Sequence, residues 1–146
     1  MDIFTMGYTH KTAKDFFTLL IKNKVEIIVD IRLNNTSQLA GFSKKKDLEF
    51  LAKAIGKISY VHYAPFAPTK DLLKKYKNKK LTWEEYEIEF NEMLVKRNSI
   101  ADFLKEVSDF NRICLLCSEE KADQCHRRLV AEYIKHSLKD SKIEHI

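Results

Sequence analysis

Val25-Glu26-Ile27-Ile28-Val29-Asp30-Ile31-Arg32 is a short, nearly continuous apolar run rich in β-branched residues that closes on a carboxylate and a guanidinium. Its length suits a strand, and its weak polar alternation suits one buried on both faces. Residues 3–7, 58–63 and 113–117 repeat that character, and residues 142–146 add a short run at the end. Helical patterns separate these runs. Thr12 is placed to cap a helix over residues 12–22 that carries Phe16, Phe17, Leu19, Leu20 and Ile21 on one face. Ser43 is placed to cap a second, with Leu48, Phe50, Leu51, Ala54 and Ile55, that ends at Gly56. Residues 68–76 form a third. A long helix follows from Leu81, opened by the capping box Thr82-Trp83-Glu84-Glu85, with Trp83, Tyr86, Phe90, Met93 and Leu94 inward. Residues 122–138 form a last helix. Strands alternating with helices require crossover connections, which cover both faces of a parallel sheet. The expectation is an α/β fold: a three-layer α/β/α domain with a mainly parallel central sheet of four to five strands.

A chain of 146 residues suits one domain spanning residues 1–146. A hydrophobic share of 45%, with only 3 Gly and 2 Pro, excludes disordered and collagen-like classes. Charges interrupt every apolar run before the roughly 20 residues a membrane span needs, and no basic, then apolar leader opens the chain, so a cytoplasmic protein with no membrane partner is expected. Lys and Arg number 26 against 21 Asp and Glu, a formal charge of +5 that attracts anionic partners. The densest basic stretches, Lys44-Lys45-Lys46 and residues 74–80, are interleaved with apolar residues, the pattern of a solvated helix face rather than a nucleic-acid footprint. Three cysteines, Cys114, Cys117 and Cys125, are an odd and crowded set that suits reduced thiols.

In an open parallel sheet the ligand crevice lies beyond the carboxyl ends of the strands. Those ends carry Gly7-Tyr8-Thr9-His10, Asp30-Ile31-Arg32, Tyr60-Val61-His62-Tyr63 and Cys117-Ser118-Glu119-Glu120. Asp30 interrupts an apolar run and therefore needs a partner; Arg32, two residues on, projects to the same face. The pair either orders the strand end or holds Arg32 toward an anionic ligand. Tyr60 and His62 also share a face and are candidates for proton transfer.

Residues 113–128 concentrate three thiols, an imidazole and two guanidiniums in one strand-loop-helix unit. Cys114 and Cys117 have C-x-x-C spacing, with Cys125 and His126 as completing zinc ligands. Residues three apart on a strand face opposite sides, however, so neither a metal nor a cofactor is expected, and Cys114 reads as a small core residue. Cys117 falls at the strand end and Cys125 in the first turn of the next helix, where free amides and neighbouring Arg or His⁺ stabilise a thiolate. His126 is expected to face Asp30 or Glu119. Arg127 and Arg32 furnish an anion site, and Glu119 orients His126 or acts as acid and base if buried.

Thr5-Met6-Gly7-Tyr8-Thr9, Asp30-Ile31-Arg32, Gly41-Phe42-Ser43, Tyr60-Val61-His62 and Leu116-Cys117-Ser118-Glu119 with Cys125-His126-Arg127 together resemble the family catalogued as domain of unknown function 488, over nearly the whole chain. The resemblance implies an α/β domain with signature positions at Tyr8, Asp30, Arg32, Ser37, Phe42, His62, Cys117, Glu119, Cys125, His126 and Arg127, and supplies no reaction. Family members often carry Pro after the Asp-x-Arg motif, where this chain has Asn34-Asn35-Thr36-Ser37. The reading is an enzyme that uses Cys117 or Cys125 on a small anionic substrate, phosphate- or carboxylate-bearing and of nucleotide type among others, in a cationic pocket. The alternative is a nucleic-acid-binding or adaptor module in which the C-x-E…C-H-R motif is structural.

Overall fold

A computed structural model describes residues 1–36 and 38–146, the side chains of residues 38–40 excepted. Its strands are β1 (Asp2–Gly7), β2 (Ile27–Asp30), β3 (Ser59–His62), β4 (Arg112–Cys117) and β5 (Lys142–His145). They form one sheet in the order β3-β2-β4-β1-β5, and every pairing is parallel. The helices are α1 (Ala13–Lys22), α2 (Lys45–Gly56), α3 (Lys70–Lys77), α4 (Trp83–Arg97), α5 (Ile100–Glu106) and α6 (His126–Ser137). None is long and apolar enough to cross a membrane.

Strand alternation divides the interior into two cores. Ile3, Ile27, Val29, Ile113 and Leu115 face Leu72, Tyr86, Phe90, Leu94, Phe103, Leu129 and Ile134, from α3 to α6. Phe4, Met6, Ile28, Cys114 and Leu116 face Phe16, Phe17, Leu20, Leu48 and Ala52, from α1 and α2. The architecture is therefore three-layer α/β/α, as the alternation of runs predicts. Gly7 pairs with Cys117, and Asp30 pairs with both Leu116 and His62, so the carboxyl ends of four strands are level at one rim.

Some boundaries depart from expectation. Helix α2 is entered from Lys44 rather than Ser43, because Ser43 closes the 3-10 turns of Gln38–Ser43 and its carbonyl accepts from Arg32. The left-handed residue after α2 is Lys57, at φ 55°, not Gly56. The long helix from residue 81 stops at Asn98, left-handed at φ 47°, and α5 is a separate piece. Helix α6 begins at His126, four residues later than expected, with Cys125 as its N-cap. Thr12 and Thr82 cap as predicted, the latter in a complete capping box.

Two contacts fix the rim. Arg32 Nε and Nη2 donate to the two Asp30 oxygens at 2.9 and 2.8 Å, and the Arg32 amide adds a third bond at 3.1 Å. The Tyr60 hydroxyl donates to Asp30 Oδ2 at 2.6 Å, and Arg32 Nη2 reaches the Ser43 carbonyl at 2.6 Å. Burial raises the Asp30 pKa, but the Arg32 and Tyr60 bonds and the Arg32 charge outweigh it, leaving the carboxyl below its ordinary range. The second contact is steric. A Cβ on Gly7 would lie 1.6 Å from the Glu119 carbonyl oxygen and 2.9 Å from Arg127 Nη1, so only glycine lets the β4–α6 loop rest on β1.

Asp30→Asn is expected to cost about 3 kcal/mol, the range for stripping one partner from a buried ion pair. Because folding lowers the Asp30 pKa, its contribution is complete above the unfolded-chain value of about 3.9 and is lost as pH falls through the lower folded value. The difference in urea midpoint between wild type and Asp30→Asn is therefore expected to be constant at neutral and mildly acid pH and to close below about pH 4. Gly7→Ala is expected to cost about 1–3 kcal/mol by overpacking, with faster hydrogen exchange at the amides of residues 118–120.

Candidate functional site

The loop that leaves β4 is held from behind. Tyr8 N–H donates to the Cys117 carbonyl at 3.3 Å, and Thr9 N–H to that of Ser118 at 3.1 Å, with the Thr9 hydroxyl on the same oxygen. Arg127 is buried under the loop, where Nη1 donates to the Glu119 carbonyl, Nη2 to that of Glu120 at 2.9 Å, and Nε to Thr5 Oγ1 at 3.3 Å. With those carbonyls occupied, the Ser118 and Glu119 N–H groups are left to the Cys117 sulfur, whose pKa they lower. They form a backbone nest for negative charge.

His126 opens α6 and brings its ring to the same sulfur. Its Nδ1 lies 3.5 Å from Cys117 Sγ, and its Nε2 lies 2.9 Å from the Ile31 carbonyl. A carbonyl only accepts, so Nε2 carries the hydrogen and Nδ1 is left to the sulfur. The Phe90 ring, 5.5 Å away, backs the imidazole. Sγ also lies 3.9 Å from Nε2, so the sulfur sits beside the imidazole rather than along the Nδ1 lone pair, and the ring must turn before Nδ1 can take the thiol proton.

The three thiols differ sharply. A hydrogen bond from Cys125 lowers the Cys117 pKa, burial raises it, and the Glu119 and Ser118 amides and the Arg127 charge lower it again, for a net fall. Cys125 is held well above the ordinary thiol value, because its hydrogen is shared with Cys117 and it is buried. Cys125, expected in the first turn of the helix, is instead its N-cap, and its side chain bonds none of the helix amides. Cys114 packs against the α1–α2 core, where burial pushes it up to about 12. It lies on the opposite face from Cys117, as strand alternation requires.

Cys117, Cys125 and His126 lie at the floor of a cavity of about 600 Å³. Thr9, His10 and residues 32–34 line it, as do Pro68, Leu73, Tyr76, Trp83 and Tyr86. Trp83 and Tyr86 stack with ring centroids 5.3 Å apart, and Tyr76 lies 4.9 Å from Tyr86. Arg128 ties this wall to α6 through Glu87 at 2.7 Å and covers the Trp83 ring. Arg97 fixes the loop before α3 by donating to the Pro65 and Ala67 carbonyls at 2.8 and 2.6 Å.

The lining is not uniformly cationic. Exposed Lys77 and Lys121 stand at the rim beside exposed Glu119, Glu120 and Asp123. Arg32 lines the cavity with its guanidinium sealed from solvent, and its buried Nη1 is without a hydrogen-bond partner among the described residues. Asp30 takes up the other guanidinium nitrogens.

Of the residues singled out from sequence, Arg32, Cys117, Glu119, Cys125 and His126 share the cavity. The rest act around it. Asp30 and Tyr60 hold Arg32, and Tyr8 places its ring 5.3 Å from the guanidinium carbon. His62 Nε2 bonds the Arg32 carbonyl at 3.0 Å, and Phe42 packs on Phe16 at 5.2 Å. Arg127 spends its donors on the loop, so it does not line the cavity with Arg32. Glu119 contributes backbone, while its carboxylate is exposed, and His126 meets the Ile31 carbonyl in place of Asp30 or Glu119. Ser37 lies outside the described residues. Sequence reasoning assigned Trp83 and Tyr86 to the core and missed their second role in the wall; aromatic residues in the first turn of α4, beside a capping box, were the available signal.

Comparison with known proteins found no match among curated proteins and none among solved structures. A family model does match, over residues 12–134, a stretch that includes β2, the β4–α6 loop and His126. The chain therefore belongs to the family described as domain of unknown function DUF488.

Proposed function

We propose that the cavity is the active site of a thiol-dependent enzyme acting on an anionic substrate. The observation that carries this reading is Cys117 Sγ at 3.5 Å from His126 Nδ1, with Nε2 tied to Ile31 at 2.9 Å, on the floor of a cavity. His126 takes the Cys117 proton, and the sulfur attacks an electrophilic carbonyl or phosphoryl centre. The leaving group departs with that proton, and water releases the acyl or phosphoryl group from sulfur. The Ser118 and Glu119 amides, which lower the Cys117 pKa, and the positive charge of Arg32 beside the cavity favour the anionic oxygens. Cys125 is a positioning residue that donates its hydrogen to Cys117.

The aromatic lining suggests the rest of the substrate. Tyr76, Trp83 and Tyr86 line the same cavity as an aromatic cluster, Trp83 stacked on Tyr86 and Tyr76 at an angle to both. A planar ring joined to a phosphate, the plan of a nucleotide, satisfies both features.

In the reduced, chelator-treated protein, Cys117 is expected to alkylate with iodoacetamide at least about tenfold faster than a model thiol at neutral pH, with Cys114 protected. The preference for anionic iodoacetate over neutral iodoacetamide should exceed that of free cysteine and fall in Arg32→Lys, whose single ammonium is held by Asp30. His126→Asn should slow both reagents. A nucleoside monophosphate is expected to protect Cys117 at lower concentration than inorganic phosphate or the nucleoside. Mass spectrometry of the labelled peptides checks each point, and uniformly slow labelling of all three thiols overturns the reading.

A further inference from the structure

The same floor has a second chemical capability. Cys117 Sγ, Cys125 Sγ and a nitrogen of His126 all lie within 4.8 Å of one another, and all three residues are buried. Two sulfurs and an imidazole are soft donors, which favour zinc over magnesium or calcium. Zinc at about 2.3 Å from sulfur and about 2.0–2.1 Å from nitrogen, at a tetrahedral angle, separates the two donors by about 3.6 Å. Cys117 Sγ and His126 Nδ1 are 3.5 Å apart before any ion enters. The bond from His126 Nε2 to the Ile31 carbonyl, at 2.9 Å, is the kind of outer contact that metal-bound histidines make; Sγ also lies 3.9 Å from Nε2, so the imidazole must turn for Nδ1 to share an ion with the sulfur.

We propose that Cys117, Cys125 and His126 bind one zinc-type divalent cation, with the fourth coordination position open to the cavity. Among the described residues no fourth Cys, His, Asp or Glu joins the group, and Cys114 lies on the other face of the sheet. Three protein ligands with an open position is the pattern of reactive rather than purely structural zinc. Both sulfurs bind as thiolates, so the hydrogen between Cys125 and Cys117 leaves to solvent as the ion enters. Two thiolates balance the cation's charge. The metal-bound and free-thiol states are mutually exclusive, because the ion occupies the sulfur that would attack substrate. The site follows from ligand geometry alone and stands apart from the proposed thiol chemistry.

Reduced, chelator-treated protein titrated with Co²⁺ is expected to take up one ion per chain. Thiolate-to-cobalt charge-transfer bands and intense tetrahedral d–d bands should appear, and equimolar Zn²⁺ should bleach them. Native mass spectrometry should show one zinc. Cys125→Ser and His126→Ala are expected to weaken uptake at least about tenfold, whereas Cys114→Ser leaves it unchanged. One equivalent of Zn²⁺ should also suppress iodoacetamide labelling of Cys117. Weak octahedral cobalt spectra in the wild-type protein, absence of stoichiometric uptake, or equal affinity in folded Cys125→Ser overturns the metal site. Labelling of the metal-free wild type reads the thiol proposal separately, so either can fail while the other stands.

Discussion

The chemistry at the rim depends on the peptide groups after β4 being held by their carbonyls. A peptide unit is planar, so fixing the C=O of one residue fixes the N–H of the next in the opposite direction. Tyr8 holds the Cys117 carbonyl and thereby turns the Ser118 N–H; Thr9 holds the Ser118 carbonyl and turns that of Glu119. Those two amides are the ones that lower the Cys117 pKa. Arg127 continues the series at Glu119 and Glu120, and Gly7 leaves the space for the loop to be reached. Arg127 is accordingly a positioning residue: a fully buried guanidinium that shapes a binding surface without forming part of it.

The layers and the rim were legible because they follow from alternation, a local property. β-branched runs separated by helical patterns require a parallel sheet, and a parallel sheet brings its strand ends to one edge. Period two also separated Cys114 from Cys117 correctly. The same rule separates Asp30, whose neighbours Ile28 and Leu116 pack toward α1 and α2, from Cys117, which has the parity of Ile113 and Leu115. Arg32 reaches the cavity because it lies beyond the end of β2, where alternation no longer binds it.

What sequence did not disclose depends on long-range placement or on main-chain groups. The Ile31 carbonyl that orients His126 comes from 95 residues away, and a backbone oxygen has no sequence signature. The aromatic wall arrives through the crossover between β3 and β4, whose helices break at Asn98 and whose docking is set by Arg97 and Arg128. Glu119 shows the opposite error. Its place in the motif suggested a reactive carboxylate, yet in a loop with its backbone pinned inward the side chain is directed to solvent. Identity and position along the chain do not reveal which part of a residue does the work.

The Arg32 guanidinium is locked in place at a cost to stability. Arg32 is 2% exposed, and Asp30 satisfies its charge through two side-chain bonds, yet Nη1 is left over. A buried donor without a partner costs about 1–3 kcal/mol relative to a satisfied one. Full satisfaction would stabilise the fold further. Because Asp30, Tyr60 and the Ser43 carbonyl lock the rest of the side chain, the spare N–H cannot relax toward another acceptor. The locked guanidinium is a fixed positive charge beside a cavity whose rim carries charges of both signs.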